Sequence, residues 1–342
     1  MIKRLLVFLA LLVLGALLLA WQAQEHWEQP LFIDEDGYSL TVSAGQTLKS
    51  VALKLDEEGV YPHPWLIRLY GRWSGLDQQI KRGEYLVPTG TTPLALLQLL
   101  RSGKVISYQV TLPEGITLAR AIEILAQQNQ LVHELDGVLD QRIATLTSGY
   151  PGSEGLFFPD SYQYERGASD WDILQRAFAA MQYALDEEWQ QRSENLPYQS
   201  PYDALIMASI VERETGLPEE RSEIAGVFVR RLYQNMRLQT DPTVIYGLGD
   251  TYQGNLRRKH LEDEGNRYNT YRHKGLPPTP IALPGRAAIH AALHPQDGKT
   301  LYFVARGDGG HYFSETLAEH QQAVRKYQLN RRQDYRSSPE KR

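Results

Sequence analysis

Cysteine is absent from the 342 residues, which excludes disulfides, thiolate chemistry and a lipid-modified cysteine. An excess of positive charge is absent too. The net charge of −5 and a pI near 6.0 leave no basic footprint, so no nucleic-acid partner is expected. The nine histidines never fall into a His-Glu-x-x-His or clustered ligand spacing, and no metal site is expected from them. No P-loop or dinucleotide-binding glycine fingerprint occurs, because Gly307-Asp-Gly-Gly310 follows an expected strand without the required spacing. No Gly-x-Ser-x-Gly elbow is present either, and no cofactor is expected.

What the chain does have is ample apolar material, 42% of its residues, enough for two domains with their own cores. It also has one long uncharged apolar run, Leu5 to Trp21, preceded by Lys3 and Arg4. That length and flanking charge predict a membrane anchor with the N-terminus inside, and everything after Trp21 outside the cytoplasmic membrane. A cleaved signal peptide is disfavoured, since Leu18 and Trp21 occupy the −3 positions before Ala20 and Ala23.

After a linker at 22–37, an alternating strand is expected at Tyr38 to Val42. A recurring grammar follows: Gly45-Gln-Thr47, Gly90-Thr-Thr92 and Gly115-Ile-Thr117 each open an apolar-faced helix whose first turn the threonine hydroxyl can cap. The spacing between these units is unequal, so they do not make a solenoid. The first unit, with Thr41-Val-Ser-Ala-Gly45-Gln-Thr-Leu48, resembles part of a LysM module, which implies a glycan-binding fold; units that only set a spacing are the alternative.

The densest signal is Met207-Ala-Ser-Ile-Val-Glu212-Arg-Glu214-Thr-Gly216. An apolar helix, 201–214, ends there at Gly216 and Pro218, placing two acids where it leaves the core. Residues two apart on a helix diverge by about 200°, so the two carboxyls cannot act side by side on one atom. Glu214 follows Ile210 and Val211 at the positions beneath it and stands at the negative end of the helix dipole. Both effects favour the protonated acid that cleavage of a glycosidic bond requires. Glu212, with Ala208 and Ser209 beneath it and Arg213 beside it, reads as a supporting or solvated group.

Elsewhere, Gly155-Leu-Phe157-Phe158-Pro-Asp160 places two adjacent rings that cannot both face a core, so one, with Asp160, suits a sugar-binding groove; a plain aromatic corner is the alternative. The stretch Gly275 to Gly285 holds four prolines and forms a stiff, pre-shaped loop beside Tyr268-Asn269-Thr-Tyr271. Asn269 and Tyr271 can offer amide and phenol hydrogen bonds to a sugar. Further helices are expected at 170–192, 219–235 and 316–329, strands at Val244 to Tyr246 and Thr300 to Val304, and a charged tail at 330–342.

Taken in order, the anchor, Gly155–Asp160, Ala208–Thr215, Arg237-Leu-Gln-Thr-Asp-Pro-Thr-Val-Ile-Tyr246, Tyr268–Tyr271, Gly275-Leu-Pro-Pro278, Leu301-Tyr-Phe-Val304 and Gly309-Gly-His311 closely resemble the endolytic murein transglycosylase, or YceG-like, family of bacteria. Thr279 and Leu283 depart from its proline loop, where Gly and Asn are more usual, so no backbone contact is carried over to them. The resemblance implies an α+β protein: a cytoplasmic tip at 1–4, an inner-membrane anchor at 5–21, a LysM-like α+β subdomain at 38–110 and a mixed α+β catalytic domain at 111–329. It implies cleavage of nascent peptidoglycan strands at MurNAc–GlcNAc bonds, giving 1,6-anhydro ends and ending elongation near peptidoglycan synthases. The family's catalytic Glu falls on Glu214. Glu212, Phe158, Asp160, Gln239, Thr240, Asp241, Tyr246, Asn269 and Tyr271 are the expected substrate-binding residues. Two rivals stand beside this reading: a hydrolytic muramidase in which Asp241 or Asp160 activates water, and a non-catalytic wall-binding scaffold.

Overall fold

The computed structural model describes residues 8, 9, 11–15, 21 and 24–329. Most of the apolar run at 5–21 and the whole tail at 330–342 therefore lie outside the described residues. Among the described residues no helix is long and apolar enough to cross a membrane.

The chain divides into two compact units, 1–109 with 163–168, and 110–162 with 169–342. In the first, β1 (Tyr38–Val42) pairs antiparallel with β2 (Gly83–Val87), Leu40 opposite Tyr85. Helices α1 (Leu48–Glu57), α2 (Pro64–Ser74) and α3 (Pro93–Ser102) complete its core, in which Leu40, Leu55, Ile67, Tyr85, Leu96 and Leu97 are fully buried. The short return at 163–168 is tied in by Arg166, whose Nε lies 2.6 Å from Glu84 Oε2.

Strand β3 (Ser107–Thr111) pairs with β4 (Ser161–Glu165), each strand divided between the two residue ranges, and the first helices of the second unit are α4 (Leu118–Ala126) and α5 (Gln141–Leu146). Then come α6 (Asp170–Gln190), α7 (Pro201–Glu214), α8 (Arg221–Tyr233), α9 (Asp241–Leu248), the single turn α10 (Arg258–Leu261) and α11 (Arg286–Leu293). The hairpin β5 (Tyr302–Ala305) and β6 (His311–Ser314) leads to α12 (Leu317–Val324). The result is mixed α+β, its strands confined among the described residues to three two-stranded ribbons.

The Gly-x-Thr grammar is realised three times. Gly45, Gly90 and Gly115 take φ of 78°, 81° and 77°, which an L side chain resists, and Thr47, Thr92 and Thr117 accept from the backbone N–H three residues on. Helix α7 is capped by Ser200 with Asp203 and begins at Pro201, and its residues from Ala204 to Val211 are all buried. A helix buried on every side must sit in the middle of its unit, and α6, α8, α9 and α11 surround it.

One expected element is wrong. Val244 to Tyr246 is not a strand but the middle of α9. Its β-branched, apolar composition favours a strand locally, but Asp241 and Pro242 at the first turn start a helix, and Val244 is buried from there.

Candidate active site

The buried run of α7 ends at Val211 and the helix itself at Glu214, a residue of intermediate exposure. The next residue, Thr215, is already extended, and its hydroxyl accepts from Leu217 N–H at 3.0 Å, so the helix stops directly under the acid. Thr240, at the N-cap of α9, donates its hydroxyl to Glu214 Oε1. Asp241 follows at the helix start, exposed, with the Tyr271 hydroxyl donating to its Oδ1 at 2.7 Å.

Burial pushes the Glu214 carboxyl above the ordinary carboxylate range, and the negative charge of Asp241 pushes the same way. The Thr240 hydroxyl, His311 and Arg231 pull against this, and the direction remains upward. The surroundings therefore favour the protonated form of Glu214 relative to a free carboxyl, with the Thr240 hydroxyl as its hydrogen-bond donor.

The turn that delivers Thr240 is held from beneath by Arg231, 6% exposed, which donates to the carbonyls of Leu238 at 2.6 Å and Leu301 at 2.7 Å. Its guanidinium also lies 5.2 Å from the centre of the Tyr302 ring. Gln239 takes a left-handed backbone, φ 51°, and its N–H reaches the Thr270 carbonyl at 3.2 Å. A non-glycine residue in that region is strained, and the strain falls at the residue before Thr240.

Asn269 is turned into the fold. Its side chain is fully buried, donates to the carbonyls of His260, Leu261 and Asp263, and accepts from Tyr271 N–H at 3.0 Å. It is bound to the backbone on both its amide and its carbonyl side, and at 0% exposure it is not presented at the surface.

Glu212 points away from Glu214, as helix geometry requires. It accepts from Arg221 at 3.2 Å and from the N–H of Gly285, the N-cap of α11, at 3.0 Å. With Ser209, which accepts from Ile281 N–H at 3.0 Å, it pins the proline-rich loop to α7. Leu283, where no backbone contact was carried over, exchanges two backbone hydrogen bonds with Gly115 and Ile116. Phe158 and Asp160 line a cavity of about 720 Å³ together with Arg221, Glu188, Arg286 and His290 and without Glu214, Thr240 or Asp241, whereas Phe157 is fully buried.

Tyr246 lines a cavity of about 320 Å³ with Gly115, Arg213 and Pro242. Its hydroxyl donates to Glu154 Oε2 at 3.2 Å, and Glu154 Oε1 accepts from Leu118 N–H at 2.9 Å, bracing α9 against the start of α4. Burial pushes Glu154 from its ordinary 4.5 to about 7. Between those values the folded protein holds a proton that the unfolded chain has released, so the contribution of Glu154 to stability is full below pH 4.5 and is lost as pH rises through 7. A shift of that size is worth up to about 3 kcal/mol. Urea denaturation from pH 4.5 to 8 is expected to show this decline, and Glu154→Gln to flatten it.

Sequence reasoning missed Glu154, Arg231, Glu220 and His311. The last two form a pair, His311 Nδ1 to Glu220 Oε2 at 2.7 Å, with the His311 side chain 8% exposed. Neither has a local signal, because His311 reads as a turn residue and Glu220 as one of two acids at a helix start. Among the described residues no three His, Cys, Asp or Glu side chains come together as a metal site.

Compared with known proteins, residues 40–326 match the YceG-like family. The chain is 29% identical over 308 residues to the Bacillus subtilis protein named endolytic murein transglycosylase, covering 84% of each. A Streptococcus pneumoniae protein of the same name is 26% identical over 354 residues, covering 93% of this chain and 63% of that one. A crystal structure titled as a putative YceG-like protein of Listeria monocytogenes is similar with a TM-score of 0.55 and 27% identity, over 84% of this chain and 99% of that one.

Proposed function

Because the chain belongs to the YceG-like family, we propose that it is an endolytic lytic transglycosylase of peptidoglycan in which Glu214 is the acid and base. The observation that carries the assignment of Glu214 is the arrangement at the end of α7: one desolvated carboxyl, held by Thr240, with a second carboxylate, Asp241, aimed by Tyr271.

Glu214 transfers its proton to the glycosidic oxygen, and the bond from that oxygen to C1 of MurNAc breaks. The positive charge that grows at C1 is stabilised by Asp241. The C6 hydroxyl of the same MurNAc then closes on C1 and returns its proton to Glu214, leaving a 1,6-anhydro end. No water enters. A two-carboxylate glycosidase needs its second acid as nucleophile or water activator; the internal hydroxyl removes that need, which suits Glu212 facing the other way. Gln239, Thr240, Asp241, Tyr246 and Tyr271 are the side chains proposed around the sugar, and Asn269 positions Tyr271.

The hydrolytic alternative keeps Asp241, which is exposed beside Glu214 and can hold a water; Asp160 belongs to the other cavity. Mass analysis of isolated glycan strands digested by the protein separates the two. Anhydro ends, one water lighter than reducing ends, support the lytic reading, and reducing ends alone refute it.

The anchor at 5–21 is part of the proposal: single-pass in the inner membrane, with everything after Trp21 outside. Phe8, Leu9, Leu11 to Leu14 and Trp21, among the described residues of the run, are exposed apolar residues. The region 38–110 is proposed as LysM-like and glycan-binding, and peptidoglycan synthases as neighbours that supply nascent strands.

A further inference from the structure

Helix α2 carries an outward stripe that nothing in the described fold covers. Trp65, Leu69 and Trp73 are 52%, 63% and 81% exposed, and the exposed Arg68 and Arg72 stand between them. Positions 65, 68, 69, 72 and 73 recur at helical spacing and so share one side. The other side is fixed: Leu66, Ile67 and Gly71 are buried, and a Cβ on Gly71 would come within 2.2 Å of Leu48 Cδ2. The helix cannot roll to hide its tryptophans.

The chain itself says what lies next to this stripe. Trp27, six residues after the apolar run ends, packs on Tyr70 with ring centres 4.6 Å apart, and Tyr70 meets Trp73 at 5.8 Å. Between them an apolar cavity of about 470 Å³ is lined by Trp27, Leu69, Tyr70 and Trp73. Gln24 and Trp27, shortly after the apolar run, thus lie against α2. A stripe of tryptophan and leucine with arginines between is the composition of a helix lying in the water–lipid boundary, rings among the headgroups and guanidiniums on lipid phosphates.

We infer that α2 docks on the bilayer surface, lying in the interface and holding the first unit against anionic lipid. The inference deepens the proposed anchoring and rests on it, but is independent of the chemistry at Glu214. Neither arginine is engaged in an ion pair among the described residues, which leaves both free for phosphate.

The cysteine-free sequence makes the test clean. Full-length Leu69→Cys and Leu86→Cys variants, each labelled with the polarity-sensitive dye NBD, are reconstituted into vesicles of phosphatidylethanolamine and phosphatidylglycerol; Leu86 is the exposed control on β2. The dye at 69 is expected to shift to the blue, brighten several-fold and be quenched by lipids spin-labelled near the headgroup, while the dye at 86 stays water-like. Adding Arg68→Glu and Arg72→Glu lowers the ratio of docked to undocked helix by roughly tenfold or more. Water-like emission at 69 from protein that floats with the vesicles overturns the docking alone. A blue shift without lipid quenching, growing with protein density, assigns the stripe to a second copy and overturns it too. Protein that does not float removes the anchor and the docking with it.

Discussion

Glu214→Gln lowers the rate of glycan cleavage by about a thousandfold, within the range set by removal of a general acid–base group. The carboxamide fills the same space and can still accept from the Thr240 hydroxyl, but it has no proton to give to a leaving oxygen. Stability does not fall with it. Burial holds the Glu214 pKa above its ordinary value, so ionising this group costs the folded state as pH rises through the folded pKa, and the amide removes that cost. Single-turnover digestion of glycan strands, paired with thermal denaturation of the same variant, checks both halves. A variant that is slow because it is unfolded would not support the assignment.

Glu212→Ala, two residues away, gives the opposite profile. Arg221, with its side chain 11% exposed, loses its nearest acid and keeps only Glu114 at 3.6 Å, and Gly285 N–H loses its acceptor. The Arg221 Nε has no acceptor among the described residues even before the change. Removing one partner of such a buried pair costs roughly 3–5 kcal/mol. For a domain of this size that lowers the thermal midpoint by on the order of 10 °C. Glu212→Gln is milder, because burial already pushes the Glu212 pKa up and a carboxamide oxygen can still meet Arg221 or Gly285. Near-native melting of Glu212→Ala would mean that the proline loop is held by other contacts.

The contrast between the two acids is where sequence reading went furthest. Helix periodicity alone separates their directions, and the apolar Ile210 and Val211 beneath Glu214 foretell the desolvation that raises it. The three threonine caps were equally visible, because a cap and its helix lie within three residues. What stayed hidden are contacts closed across long stretches of chain. Tyr246 meets Glu154 across 92 positions and His311 meets Glu220 across 91, and nothing local to any of them announces the partner. Asn269 is expected at a sugar because an amide beside a tyrosine on a loop suggests a ligand group; the structure buries it among three backbone carbonyls and one N–H. The strand expected at Val244–Tyr246 fails for a related reason, since side-chain preference is overridden where Asp241 and Pro242 commit the backbone to a helix.

The central claim is that Glu214 serves as acid and then base while the substrate's own hydroxyl is the nucleophile. Digestion of glycan strands in water enriched in oxygen-18, read by mass analysis of the new chain ends, tests it most directly. The account predicts 1,6-anhydro ends carrying no heavy oxygen; reducing ends labelled with oxygen-18 as the main product would contradict it.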